Sequence, residues 1–82
     1  MILYTRKEDS NMDRIVRDFG NYIKERRLEK GMSQEEVAKK LNISQQAYSR
    51  YEHGDREPGL QTIYDLAAIL DFAPGDFFNS YR

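Results

Sequence analysis

From Arg14 onward the apolar positions follow a helical period. Ile15, Phe19 and Ile23 recur at four-residue intervals and lead to Arg27, with Val16 and Tyr22 beside the stripe. Gly20 interrupts this stripe at a cost of about 1 kcal/mol relative to Ala, so a bend or a helix start is expected there. Gly31, just past Lys30, is a natural stop. Ser33 and Glu36 have capping-box spacing, and each side chain can satisfy the other's free backbone N–H. They predict a second helix whose inner face is Val37, Ala38 and Leu41. Asn42 tolerates the left-handed conformation that ends it. Ser44 is a good N-cap for a third short helix, with Tyr48 and Tyr51 facing inward and Gly54 at its end. Beyond a polar loop containing Pro58, the residues Leu60, Ile63, Leu66, Ala67 and Leu70 trace a fourth amphipathic helix. Pro74 suits the first position of a fifth, which carries Phe77, Phe78 and Tyr81. The pattern therefore predicts an all-α fold of five short helices over residues 14–82. Residues 1–13 form a polar lead with an apolar tip, Met1, Ile2, Leu3 and Tyr4, which periodicity does not assign.

Composition narrows the function classes. An 82-residue chain fits one compact domain, and no separate sensing module is expected. The absence of cysteine excludes a disulfide framework, a thiolate zinc site and a cysteine nucleophile. A single histidine leaves little for a metal cluster, and no metal site or cofactor is expected. No glycine-rich phosphate loop or nucleophile–base pair stands in the sequence, so an enzyme is not expected. No apolar run approaches the roughly 20 residues that cross a bilayer, which predicts a cytoplasmic protein without a membrane partner.

The stretch from Gln34 to Arg56 carries the chemistry. Two short helices separated by a turn with a left-handed-tolerant Asn make a helix-turn-helix. Ala38 is small enough for close helix crossing, and Ile43 can plug the turn. With Tyr48 and Tyr51 inside, the outer face of the second of these helices is Gln45, Gln46, Ser49 and Arg50, with Ala47 at its edge. Gln pairs in bidentate fashion with adenine and Arg with guanine in the major groove. Ser44 and Gln45 stand at a helix start, where free N–H groups favour phosphate. Residues 44–51 contain no Asp or Glu. Lys24, Arg26, Lys39 and Lys40 read as surface charge, and His53 as a polar end to the helix.

The segment GMSQEEVAKKLNISQQAYSRYEHGDREPGLQTIYDLAAIL resembles the helix-turn-helix of the lambda repressor and Cro type, the XRE family of bacterial and phage regulators. The resemblance runs from about Phe19 to Phe78 and rests on linked features: Lys24 to Arg27 before Gly31, Ser33-Gln34, Ala38 and the turn, Glu52 with Gly54, and Pro58. It implies a five-helix DNA-binding domain and a transcriptional regulator, in the first place a repressor, that reads a pseudo-palindromic operator as a homodimer. By resemblance Gln45, Gln46, Ser49 and Arg50 would read bases, while Gln34, Ser44 and Arg56 would hold the DNA backbone. Arg27 and Glu52 would form a buried ion pair. Asn42 stands where the family commonly has glycine, and Gly59 where it has a small hydroxyl cap. The C-terminal helix is the family's usual dimer surface, which makes Phe72, Phe77, Phe78 and Tyr81 the expected interface. Residues 1–13 lie outside the resemblance; a flexible arm, or one at the dimer interface, is expected. A regulatory protein partner held on the apolar C-terminal surface, as by an antitoxin, is the alternative expectation.

The net charge of −1 conceals a division. Residues 14–56 hold ten Lys or Arg against seven Asp or Glu, whereas residues 57–82 hold one Arg against four acids. The helix-turn-helix half is modestly basic, and the C-terminal half is acidic.

Overall fold

The computed structural model describes the backbone of residues 3–81 and the side chains of residues 14–81. Five helices follow one another: α1 (Leu3–Glu29), α2 (Gln34–Leu41), α3 (Gln45–His53), α4 (Leu60–Leu70) and α5 (Pro74–Ser80). The described residues contain no strand. The fold is all-α, as the periodicity predicts. The expectations for the side chains of Met1, Ile2, Leu3 and Tyr4 lie outside the described residues. Helix α1 starts at Leu3 rather than at Arg14. The added turns have no Gly or Pro to break them, and their lack of an apolar stripe hides them from a periodicity argument.

Helices of seven to eleven residues, such as α2 to α5, do not hold in water alone, so packing must fix them. Helix α1 packs on α3 and α4, α2 packs on the same two helices, and α5 packs on α4. Ile23, Val37, Tyr48, Leu66 and Leu70 are fully buried at the centre. Four helices end in the same way. Gly31, Asn42, Gly54 and Asp71 adopt positive φ, and the next residue's N–H reaches back to a carbonyl five residues earlier. After three of them, Met32, Ile43 and Phe72 turn an apolar side chain onto the core.

Helix α1 does not start at Gly20 but runs through it. A Cβ there would stand 2.5 Å from the Tyr51 carbonyl oxygen and 2.6 Å from that of Glu52. The missing side chain lets α1 lie directly on the last turn of α3. Gly54 completes this contact, since its Cβ would meet Arg17 Cγ at 2.7 Å.

Phe72 and Phe77 are buried in the chain's own core, so of the four rings expected at a dimer interface these two close the core instead. Phe77 lies edge-on to Phe19 with centroids 5.2 Å apart, and Phe72 edge-on to Tyr22 at the same separation. These rings close the space between α1 and the start of α5. Phe78 remains exposed, and Tyr81 is half-buried. The Tyr81 hydroxyl accepts a hydrogen bond from Arg14 Nε at 3.0 Å, tying the end of α5 to α1.

Candidate nucleic-acid interface

Local chemistry fixes the start of α2, the turn that follows it and the start of α3. Ser33 Oγ accepts from the Glu36 N–H at 3.0 Å, and the Glu36 carboxylate accepts from the Ser33 N–H at 2.9 Å. Asn42 closes α2 at φ 62° and ψ 40°. Ile43 N–H then donates to the Ala38 carbonyl at 3.0 Å. Ser44 caps α3 by accepting from the Ala47 N–H at 3.0 Å.

Helix α3 has two distinct faces. Tyr48, Tyr51 and Glu52 are buried, while Gln45, Gln46 and Arg50 are exposed. Ser49 lies beside them, half-buried, and its hydroxyl is 3.2 Å from His53 Nδ1. The structure thus brings Gln45, Gln46, Ser49 and Arg50 onto one outward surface. Ser44 is exposed at its N-terminal edge. Arg56 is exposed in the loop after α3.

The inward face is held by a buried carboxylate. Arg27 Nε donates to Glu52 Oε2 at 2.6 Å, and Arg27 Nη2 donates to Oε1 at 3.1 Å. Gln34 Nε2 donates to Glu52 Oε1 at 2.9 Å, and the Tyr48 hydroxyl donates to Oε2. Arg27 also reaches the Met32 carbonyl at 2.9 Å. One carboxylate therefore joins α1, α2 and α3. Burial by itself would raise the Glu52 carboxyl, but donors from Arg27, Tyr48 and Gln34 hold it below the usual carboxylate range. Hydrogen bonding to Glu52 keeps Arg27 firmly protonated. Burial, reinforced by the neighbouring carboxylate, pushes the Tyr48 phenol up. The inward orientation of Tyr48 was legible from spacing. Its donation to Glu52 was not, although the i, i+4 interval between them was available as a signal.

A helix-turn-helix family model matches residues 23–77, which takes in the whole of α2 to α4. The chain belongs to the helix-turn-helix family. Its curated relatives bear regulator names. The SPbeta prophage-derived uncharacterized HTH-type transcriptional regulator YonR of Bacillus subtilis is 44% identical over 52 residues, covering 63% of this chain and 48% of the relative. The uncharacterized HTH-type transcriptional regulator YqaF of the same organism is 46% identical over 57 residues, covering 70% and 75%. The cryptic phage CTXphi transcriptional repressor RstR of Vibrio cholerae is 37% identical over 49 residues, covering 60% and 44%. This helix-turn-helix chain spans about half the length of most of the relatives it matches, YonR and RstR among them. No helix among its described residues is long and apolar enough to cross a membrane.

Proposed function

We propose that this chain is a sequence-specific DNA-binding regulator of transcription, acting in the cytoplasm as a repressor. The observation that carries the reading is the division of α3. Its inner face is locked by Tyr48, Tyr51 and the Glu52 cluster, while its outer face offers Gln45, Gln46, Ser49 and Arg50 with no acidic residue among them. In the major groove Arg50 pairs with guanine, and Gln45 and Gln46 pair with adenine. Ser44, Gln34 and Arg56 hold phosphates on either side. The name of RstR supports repression as the sign of control.

The active form is a homodimer on a pseudo-palindromic operator. Phe78, 45% exposed, adjoins an apolar groove of about 220 Å³ lined by Ile15, Val16, Pro58 and Ile63. A surface with both a protruding ring and a groove can complement a two-fold copy of itself, as an isologous dimer requires. Of the four C-terminal rings, Phe78 and Tyr81 are the two available to such a contact.

Two substitutions test the assignment by equilibrium binding. Arg50→Ala is expected to relax preference at one base pair per half-site, costing about 1–3 kcal/mol there. Arg56→Ala is expected to weaken all duplexes alike and to reduce the salt slope by about 1 for each phosphate that the arginine neutralises. Equal effects of the two on sequence preference would overturn the assignment.

A further inference from the structure

His53 closes α3 one turn beyond Ser49, at the i, i+4 interval that brings side chains together on a helix. Side chains on a helix lean back over the turn before them, which carries the His53 ring onto Ser49. Its Nδ1 lies 2.8 Å from the Ser49 carbonyl oxygen and 3.2 Å from the Ser49 hydroxyl oxygen. Ser49 belongs to the outward surface of α3, and His53 is exposed at the C-terminal edge of that surface. We propose that His53 sets the polarity of the Ser49 hydroxyl, holding it as a hydrogen-bond donor toward the bases, so that cytosine is disfavoured at the position Ser49 reads. The inference rests on the function proposed above and adds a positioning residue to its reading face.

The tautomer of His53 follows from the acceptor. A carbonyl oxygen only accepts, so an approach of 2.8 Å requires a hydrogen on Nδ1. A bare Nδ1 would set two lone pairs against each other. The neutral ring with its hydrogen on Nδ1 and the protonated ring both meet the requirement, so the direction of the bond does not depend on the charge of His53. Nδ1 then has no lone pair with which to accept from Ser49. The shared hydrogen points to the carbonyl and, more weakly, to Ser49 Oγ.

A serine hydroxyl has one hydrogen and two lone pairs, and unconstrained it serves base acceptors and base amino groups alike. Here His53 occupies one lone pair. Accepting that bond polarises the O–H, which strengthens it as a donor and weakens the oxygen as an acceptor. No acceptor among the described residues takes the Ser49 hydroxyl hydrogen. Ser80 differs, since its hydroxyl donates to the Asp76 and Phe77 carbonyls of its own helix. The Ser49 hydrogen is therefore available to a base. In the major groove guanine, adenine and thymine each present an acceptor, whereas cytosine presents only its N4 amino group. A hydroxyl held as a donor disfavours cytosine alone.

Two measurements test the inference. In the free chain, nitrogen NMR of the imidazole at about pH 8.5, above the ordinary histidine range, reads where the ring hydrogen sits. It is expected on Nδ1. A hydrogen on Nε2 overturns the inference and leaves the proposed function untouched. The second measurement is selection of duplexes from a random pool by the unsubstituted chain, Ser49→Ala and His53→Ala, with melting temperatures to check the fold. Ser49→Ala identifies the base that Ser49 reads, as the position whose preference disappears. There the unsubstituted chain is expected to disfavour cytosine by about twofold to tenfold, the effect of one hydrogen bond. His53→Ala is expected to lose that discrimination and to keep the preferences at all other positions. Retained discrimination against cytosine overturns the inference. So does a loss spread evenly over the site, because His53 then acts through the helix as a whole and not through Ser49. If no position responds to Ser49→Ala, the inference also falls, while an intact preference at the Arg50 position leaves the proposed function standing. A pool without any preferred sequence overturns that function, and this inference with it.

Discussion

Gly20 shows how a single residue positions α3. Ala has the higher helix propensity, by about 1 kcal/mol, so propensity alone predicts that Gly20→Ala stabilises α1. The new methyl would instead meet two backbone carbonyl oxygens of α3, at 2.5 and 2.6 Å, and backbone cannot swing aside as a side chain can. Gly20→Ala is therefore expected to destabilise the fold by about 1–3 kcal/mol in urea denaturation. A gain in stability would show that α1 and α3 stand further apart than this. The sequence announces the glycine but not its neighbour. Its partner carbonyls lie some thirty residues away, and no local pattern connects them. Ser33, Asn42 and Ser44 were legible for the opposite reason, because the groups they satisfy lie within a few residues of them.

At the scale of elements, the Glu52 carboxylate fastens α3 to α1 and α2 together. Removing one partner of such a buried pair costs about 3–5 kcal/mol, although the intact pair is weak evidence for net stability. Glu52→Gln is expected to show a loss of that order near neutral pH. The folded carboxyl is held below its ordinary value of 4.5. Stability from this ionisation is complete above that ordinary value and is lost as pH falls through the lower folded one. The gap between the unsubstituted chain and Glu52→Gln should therefore narrow as denaturation is repeated at falling pH below about 4.5. A gap that stays constant in acid would contradict the pairing. The Arg27–Glu52 partnership came from resemblance, since the two residues are 25 apart and spacing alone does not join them. The placement of Phe72 and Phe77 escaped the sequence for a related reason. Counting rings near the C-terminus shows an aromatic surplus, but not that Phe19 and Tyr22 return from α1 to cover two of them.

At the scale of the whole molecule, the near-neutral net charge separates a basic helix-turn-helix half from an acidic C-terminal half. A two-fold dimer through the C-terminal surface would present two basic faces to one side. With so modest a positive surplus, non-specific attraction to phosphate is small, so the proposed function makes binding rest on contacts to a particular sequence. Selection of duplexes from a random pool, at moderate salt, examines that dependence directly. The selected sites are expected to share two inverted half-sites with centres about 10–10.5 base pairs apart, bound at least about a thousandfold more tightly than bulk DNA. A pool that shows no preferred sequence after repeated selection would contradict the reading of α3 as a base-recognition helix.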